Sequence, residues 1–226
     1  MPGPYREPDA SWAVDLVRSF PLAVLMTNGS NNDVPFATHL PLILDPETTE
    51  HTPADLTGTT LLGHMNRANP HWPSLQDGMR VLAVFTGAHA YVSPTVYAKT
   101  PAAPTWNFTS VHVHGVLSRL DAEAAAERTL GVVQSTVRAF ETRFGDNWDM
   151  SGSVDYFRQI VSAVGAFRIE VDRVDSMFKL SQEQNPETSD RVRRAFAQSA
   201  CTRHRDVAEL MSRLPQAVGA EESTGA

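Results

Sequence analysis

The alternation of hydrophobic and polar positions predicts a chain dominated by β-strands. The signal is clearest over Thr105–Leu120, where residues two positions apart share either an apolar or a polar character. In that stretch the apolar face is assigned to Val111, Val113 and Val116, and the polar face to His112, His114 and Ser118. Short apolar runs between turn-forming residues predict the other strands. These are Leu22–Thr27, Val34–Leu44, Thr57–His64, Val81–Phe85, Tyr91–Val92, Ala166–Val174 and Phe178–Leu180.

Helical spacing of apolar residues occurs mainly in segments that flank the strands. An apolar stripe that begins at Trp12 predicts a helix that Asp9 or Ser11 can cap and that Pro21 ends. Ser93–Ala103 is predicted to be a loop that contains prolines. The further predicted helices are Pro73–Asp77, Asp121–Phe144, Val154–Ser162 and Glu187–Leu214. The Gly-, Ala- and Glu-containing end that follows is expected to be disordered.

The order of these elements predicts the fold class. Two hairpins are expected, one around Asn28–Asp33 and one around Gly87–His89. Six or more strands in consecutive hairpins, without a βαβ repeat or a Gly-rich dinucleotide loop, favour an antiparallel barrel over a doubly wound sheet. The prediction is therefore a mainly β protein with flanking helices.

Composition narrows the class of protein. The chain has 226 residues, 42% of them hydrophobic and 20% charged, which is ordinary for a globular domain. A net charge of −7 and the lack of a long basic stretch make a nucleic-acid partner unlikely on sequence grounds. A single cysteine, Cys201, excludes an internal disulfide and a cysteine-rich metal site. With no signal-peptide pattern and no apolar run of about 18 residues, we expect a soluble, cytoplasmic protein without a membrane partner.

Leu61–Trp72 is the stretch richest in candidate chemistry. A predicted strand enters it and a predicted helix leaves it, so the polar residues lie at a strand-to-helix corner. Those residues are His64, Asn66, Arg67, Asn69 and His71. Such a density of imidazole, amide and guanidinium groups at a corner is typical of a small-molecule or cofactor site. A polar turn is the alternative.

Other histidines and one cysteine were weighed as metal or nucleophile sites. His112 and His114 share a strand face and could ligate a metal together, but a polar strand face is the favoured interpretation. No His-Glu-x-x-His motif and no paired acidic cluster accompanies any histidine. Cys201 and His204 are spaced to touch on a helix, yet a surface helix is favoured there too.

A second group of candidates follows the loop before residue 105. Trp106 and Phe108 flank Asn107, an arrangement that can form the wall of a planar cofactor site or a hydrophobic plug at the mouth of a barrel. The plug is the favoured interpretation on sequence alone. Tyr97 and Lys99 precede this segment and are candidates to reach over the barrel mouth.

Several motifs together resemble one family, the PaiB-like FMN-binding split barrels, which include negative transcriptional regulators. The matching segments span residues 22 to about 185 in a consistent order. They are Ala37–Leu42, Gly63-His64 with Asn69–Trp72, Gly87–Ser93, Pro104–Phe108 with Val111-His112, and Phe178–Gln182. The resemblance implies a six-stranded antiparallel split barrel over residues 1–185, with a helical insert at about 121–163. Residues 186–226 would then form a C-terminal helix and a disordered tail.

The resemblance also implies a homodimer whose cofactor lies between the two subunits. Asn66 and Arg67 would then meet the anionic groups of the cofactor. The further candidates for cofactor binding are His39, His64, His89, Trp106, Asn107, Lys179 and Gln182.

Within that family, the sequence resembles the branch of piperazate synthases, which bind haem b instead of FMN. Three features carry this resemblance, namely the form of the corner over Met65–Trp72, the loop Tyr97–Pro104 and the start Pro2–Tyr5. It implies closure of an N–N bond in N5-hydroxy-L-ornithine to give L-piperazic acid. The alternative is an FMN-binding PaiB-type regulator or a flavin-linked reductase.

The haem hypothesis assigns roles to individual residues. Haem iron needs an axial ligand, most often a neutral imidazole, whereas flavin needs none. His64 is the first choice for that ligand, with His39 and His89 as alternatives. The substrate carboxylate needs a cationic partner, for which Arg67 and Lys99 are candidates, and Tyr97 is the third candidate catalytic residue.

Overall fold

The computed structural model describes residues 3–29, 34–48, 52–120 and 125–215. Within them the strands are β1 (Leu22–Thr27), β2 (Phe36–Leu44), β3 (Thr60–Asn66), β4 (Met79–Val92), β5 (Thr105–Arg119) and β6 (Val164–Lys179). The α-helices are α1 (Ser11–Ser19), α2 (Pro94–Tyr97), α3 (Ala125–Phe144), α4 (Val154–Ile160), α5 (Pro186–Ala197) and α6 (Thr202–Arg213). Short 3-10 helices occupy Gly3–Tyr5, Trp72–Ser74, Met150–Ser153 and Val161–Ala163.

The six strands form a closed barrel in the order β1-β2-β3-β6-β5-β4. β1 pairs antiparallel with both β2 and β4, and β3 pairs antiparallel with both β2 and β6. The predicted class, a six-stranded antiparallel barrel with flanking helices, is therefore confirmed. The expectation of consecutive hairpins throughout was wrong, because β3 is followed in the barrel by β6 and not by β4.

The strands alternate buried and accessible positions, as a barrel wall requires. On β5 the buried residues are Asn107, Thr109, Val111, Val113, Gly115 and Leu117. The assignment of Val116 to that face was wrong, because the strict period of two places it on the other face. A Cβ at Gly115 would collide with the backbone of Glu170 on β6, so only glycine allows the two strands to approach this closely.

A helical layer covers part of the outer barrel face. Ile43 on β2, Leu62 on β3 and Ala166 on β6 form a cluster with Val132 of α3, and Phe140 of α3 packs against it. Both faces of β3 are therefore shielded from solvent near Leu62.

The chain divides into two compact units. We name residues 9–86 and 110–176 the barrel unit, and residues 1–8, 87–109 and 177–226 the terminal unit. The barrel unit contains α1, α3, α4, the first three strands and most of the other three. The terminal unit contains α2, α5, α6 and the remaining strand ends. The expected domains, 1–185 and 186–226, stay a prediction.

Two breaks predicted within strands are absent. Met79–Val92 is one strand, so the hairpin predicted around Gly87–His89 was wrong. Glycine and alanine there do not turn the chain; the buried positions instead change from odd to even numbers between Gly87 and Ala88. Val164–Lys179 is likewise one strand where two were predicted. Residues 172–175 are accessible on both faces of the strand, so the polar side chains Asp172, Arg173 and Asp175 do not interrupt it.

The helical predictions were correct in position and less so in extent. The predicted tail helix is two helices, α5 and α6, separated by residues 198–201. The loop predicted at 93–103 contains α2, whose first turn is capped by the Ser93 hydroxyl. The predicted helix at 73–77 is a 3-10 turn, Trp72–Ser74. Asp121, the predicted start of α3, and the tail beyond residue 215 lie outside the described residues.

Among the described residues, no helix combines the length and the apolar character that crossing a membrane would require.

Candidate functional site

The corner after β3 is built by its own amide side chains. The Asn66 side-chain oxygen accepts a hydrogen bond from the backbone N–H of Ala68 at 2.8 Å. The Asn69 side-chain oxygen accepts one from the backbone N–H of His71 at 2.9 Å. Both are local Asx turns, which asparagine forms readily. Two of the polar side chains in this stretch, Asn66 and Asn69, therefore stabilise the turn itself.

His71 is the structural centre of the corner. It is 1% exposed, and its two ring nitrogens lie 2.8 Å from the Thr27 hydroxyl on β1 and 2.9 Å from the Thr38 hydroxyl on β2. Its ring also stacks on Phe36, with centroids 5.0 Å apart. Burial lowers the pKa of His71, so the neutral ring donates to one hydroxyl and accepts from the other. The corner is thus fastened to two strands of the barrel.

Arg67 is held against the barrel by several contacts. Its Nε donates to the carbonyl of Val164 at 3.0 Å, and its guanidinium lies 5.1 Å from the Trp72 ring centre. Arg119 approaches the same indole at 4.5 Å. Arg67 therefore has a fixed position at the end of β3, a property that a residue positioning an anion needs.

His64 lies on the outer face of β3. It shares that face with Leu62, and it pairs in register with Ala166 of β6, so it adjoins the cluster beneath α3. Burial lowers the pKa of His64 below its ordinary value of 6.5. Its Nδ1 atom is buried and has no hydrogen-bond partner among the described residues. A neutral imidazole with an unused ring nitrogen is chemically suited to bind a metal.

The other candidate histidines of the barrel unit are more accessible or already engaged. His39 is an exposed residue of β2. His114 Nε2 lies 3.0 Å from an Asp175 carboxylate oxygen, and Arg173 donates to the same imidazole. Within the residues that the structure describes, no group of three or more histidine, cysteine or acidic side chains forms a metal site. The favoured interpretation of His112 and His114, a polar strand face, fits these contacts.

In the terminal unit, Asn107 is a buried polar residue with a hydrogen-bonded partner. It is 0% exposed, and its side-chain nitrogen donates to the Ser181 hydroxyl at 2.9 Å. The Ser181 hydroxyl in turn donates to the side-chain oxygen Oδ1 of Asn107 at 3.1 Å. Asn107 thereby links β5 to the loop after β6. The hydrophobic plug expected from Trp106 and Phe108 stays a prediction.

Trp106 and His89 are brought together, 5.7 Å between ring centroids. Tyr91, which the sequence reasoning missed, joins them at 6.1 Å from Trp106. Trp106 is 50% exposed and Tyr91 45%, so the group presents aromatic surface to solvent. The period of two along β4 would have identified Tyr91, because it lies two positions after His89.

The remaining candidates of the terminal unit have internal partners. Lys99 Nζ lies 3.3 Å from the Gln184 side-chain oxygen and 5.6 Å from the ring centre of Tyr97. Tyr97 is buried, and its burial, with the Glu183 carboxylate, raises its pKa. Tyr97 therefore stays protonated as a donor.

Two further predicted cofactor residues lie near the end of β6. Lys179 Nζ lies 2.5 Å from the Thr105 hydroxyl and 5.8 Å from the Tyr5 ring. The Gln182 amide bonds back to the Phe178 carbonyl and the Leu180 N–H, both at 2.5 Å. The side chain of Gln182 therefore stabilises the turn after β6.

Cys201 and His204 do not form a nucleophile–base pair through their side chains. His204 Nδ1 lies 2.8 Å from the Ser199 hydroxyl, and its ring stacks on Phe196. The backbone N–H of His204 lowers the pKa of the exposed Cys201 thiol. These contacts order the turn between α5 and α6.

Acidification should destabilise the protein through histidines whose pKa burial lowers, namely His64, His71 and His112. Unfolded imidazoles begin to bind protons near pH 6.5, whereas the lowered pKa values keep His64 and His71 neutral in the folded state. The unfolded state then binds more protons, so the free energy of unfolding decreases as the pH falls below about 6.5. The free energy of unfolding stops decreasing once the pH is below the folded-state pKa values, because the folded histidines are then protonated as well. Urea titrations between about pH 7.5 and 5.5 measure it.

The variant His64→Gln should show a shallower decrease. Equal slopes for the wild type and His64→Gln would show that His64 does not resist protonation.

Comparison with known proteins identifies a matching protein family and several relatives of this chain. A protein-family model described as "Putative FMN-binding domain" matches residues 1–173. The protease synthase and sporulation protein PAI 2 of Bacillus subtilis is 30% identical over 154 residues, which cover 67% of each chain. An uncharacterized protein of Emericella nidulans is 27% identical over 224 residues, which cover 85% of this chain and 88% of that one.

The fold also occurs among solved structures. An FAD- and haem-binding protein from Mycobacterium smegmatis superimposes with a TM-score of 0.52 at 15% identity. The match covers 76% of this chain and 72% of that one. At this identity the likeness concerns the fold.

Proposed function

The chain belongs to the family described as "Putative FMN-binding domain", and from that premise we propose that it is a haem b-dependent cyclase. Its reaction would convert N5-hydroxy-L-ornithine into L-piperazic acid. The observation that supports this choice within a flavin-binding family is His64, a desolvated imidazole with a buried, unpartnered Nδ1.

The donor set of the corner fits a haem. An imidazole that serves as the axial ligand must be neutral, and burial favours that form of His64. A flavin requires phosphate-binding residues and contacts to its ring system. Flavin binding does not require an imidazole ligand, so it gives no reason for the unpartnered Nδ1 of His64. A protein of the same fold from Mycobacterium smegmatis is described as binding both FAD and haem, so the fold accommodates either group.

The proposed reaction joins the two nitrogens of the substrate. The α-amine nitrogen forms a bond to the hydroxylamine nitrogen, the N–O bond breaks, and the hydroxyl leaves as water with a proton from the amine. When bound, haem supplies an iron that polarises the N–O bond. The protein must hold a short, flexible chain with its two ends together.

Arg67 is the proposed partner of the substrate carboxylate. Its Nε–H bond to Val164 and its position over Trp72 fix the guanidinium at the same corner as His64. Lys99 is the proposed alternative partner of the carboxylate, and Tyr97 is the third proposed catalytic residue. The Tyr97 phenol, whose pKa is raised, would act only as a hydrogen-bond donor.

We also propose that the active form is a homodimer. Val24 and Met26 on β1 pair in register with Val84 and Leu82 on β4, and all four are half-buried on the outer barrel face. An apolar strip across two paired strands is suited to association with a second copy. His64 lines none of the three barrel-unit cavities formed around α3, and a second subunit could complete its site.

The alternative function is FMN binding by a PaiB-type regulator or reductase. The family match and the exposed aromatic group of His89, Tyr91 and Trp106 favour it, since such surfaces stack on flat ring systems. A DNA-binding role through the Arg-rich helix α5 has less support. Its arginines are paired with acidic neighbours, Arg191 with Glu187, and Arg193 and Arg194 with Asp190.

The absorption spectrum of the purified protein, followed by turnover, tests the proposal. We expect a Soret band near about 400 nm and, with N5-hydroxy-L-ornithine, a product that has lost one water. A flavin spectrum without a Soret band would exclude the haem-dependent function and favour the alternative. A haem spectrum with no loss of water would exclude the cyclase while leaving haem binding.

A further inference from the structure

A groove of about 650 Å³ runs between α1 and α3 over the outer face of β2 in the barrel unit. Its floor is apolar and includes Val17, Leu42, Ile43 and Phe140. Three arginines line the groove, namely Arg18 of α1 with Arg138 and Arg143 of α3. None of the lining residues that the structure describes is acidic.

The charges of these arginines are uncompensated in the described part of the chain. Arg18 donates to the Thr52 hydroxyl at 2.5 Å, and Arg143 donates to the Ser19 hydroxyl at 2.7 Å. Both guanidinium groups are thus positioned by neutral partners. At least seven of the fourteen arginines elsewhere in the sequence lie at ion-pair distance from a carboxylate. They are Arg80, Arg158, Arg168, Arg173, Arg191, Arg193 and Arg194.

The nearest carboxylate along α3 is engaged elsewhere. A Glu141 side-chain oxygen accepts the backbone N–H of Trp148 at 3.0 Å. In a chain with a net charge of −7, three arginines without a carboxylate partner around one apolar floor are a local excess of positive charge. Such an excess favours an anionic ligand.

The groove continues into a second apolar depression. Pro21, Phe140 and Phe144 line both, and the second adds Phe20 and Leu22. Phe20 is 40% exposed, Leu22 61% and Phe144 55%, which is unusual for large apolar side chains on one continuous surface. The combined surface therefore has a cationic end and an apolar extension.

We propose that this groove binds a long-chain carboxylate of the fatty-acid class. The carboxylate would lie among Arg18, Arg138 and Arg143, where guanidinium groups can form paired hydrogen bonds with its two oxygens. The alkyl chain would lie along Phe140 and Phe144 towards Leu22. A volume of about 650 Å³ is within the range of small-molecule sites, which favours a single-chain ligand over a protein helix.

Fluorescence titration of the full-length protein with cis-parinaric acid, a polyene fatty acid, tests this site. We expect saturable binding that weakens about tenfold or more in the double variant Arg138→Gln/Arg143→Gln. The matched control is Arg128→Gln, an exposed arginine of the same helix that does not line the groove. Arg128 lines a neighbouring depression with Asp45, Glu47 and Glu127, a depression that Arg138 also borders. The control should bind like the wild type.

Two further measurements separate charge from apolar contact. Methyl parinarate, which has no carboxylate, should bind more weakly than the acid and should be insensitive to the double substitution. Phe144→Ser should weaken binding of both probes, with circular dichroism showing whether the fold is retained. Because Phe144 is half exposed, its replacement should be tolerated.

Several outcomes would overturn the proposal. They are absence of saturable binding to the wild type, equal affinities of wild type and double variant, and equal affinities for acid and ester. Co-sedimentation with phosphatidylglycerol vesicles without binding of the free acid would assign the surface to a membrane instead, and would likewise overturn it.

Discussion

Replacing His64 by alanine should abolish the Soret band of the haem-loaded protein, or shift it strongly, and should abolish cyclase activity. The proposed axial ligand would be lost. The other histidine of the corner, His71, cannot replace it, because both of its ring nitrogens are hydrogen-bonded, to Thr27 and Thr38. Haem b is held through its axial ligand, so occupancy should fall with it. Absorption after haem titration and the rate of water loss from N5-hydroxy-L-ornithine measure the two effects.

The other two candidate ligands provide matched controls. His39 is exposed on β2, and His89 packs against Trp106, so alanine at either position should leave the fold intact. We expect both control variants to keep the Soret band. An unchanged spectrum in His64→Ala, with a changed one in His39→Ala or His89→Ala, would transfer the role of ligand. If no histidine variant altered the spectrum, the haem assignment itself would fail.

Replacing His71 by leucine should lower the free energy of unfolding by about 3 kcal/mol. The substitution leaves the Thr27 hydroxyl, on a residue 4% exposed, without its partner and also removes the bond to Thr38. A buried polar group left unsatisfied costs about 1–3 kcal/mol, and imperfect packing at a site that is 1% exposed adds to it. At this chain length the melting temperature should fall by roughly 6–12 °C. Urea titration with circular dichroism measures the change.

A second variant tests whether the lost hydrogen bond is the cause. Thr27→Val combined with His71→Leu removes both partners, so part of the stability should return relative to His71→Leu. His39→Ala, at an exposed position, should change the free energy of unfolding by less than about 0.5 kcal/mol. A His71→Leu variant as stable as the wild type would mean that the corner does not depend on these bonds.

The strands were predictable wherever a local pattern encodes them. β1 was predicted with its observed bounds, and β5 within one residue, because alternation along a half-buried strand is a property of neighbouring residues. The interpretation of Gly87–His89 as a turn failed for a tertiary reason. The strand continues there while its buried face changes, and the residues that cover each face are remote in sequence.

The candidate site shows the same division at the level of single side chains. Sequence reasoning selected the corner and named His64, Asn66 and Arg67 within it. It could not distinguish side chains that build the turn from those that are available. Asn66 bonds to Ala68 two residues away, a local contact that asparagine at a corner already suggests. His71 bonds to threonines 44 and 33 residues away, and no local pattern indicates those partners.

The amino-acid sequence by itself determined the class of fold, the family and the corner where the candidate chemistry is concentrated. Period-two alternation and ordered motifs are local features, so they can be recognised without coordinates. Only the tertiary structure decided that β3 joins β6, that His64 lies beside the cluster beneath α3, and that three arginines surround one apolar groove. Barrel closure and helix packing bring together residues from distant segments. The burial and partners of each side chain depend on that assembly, and so does its chemistry.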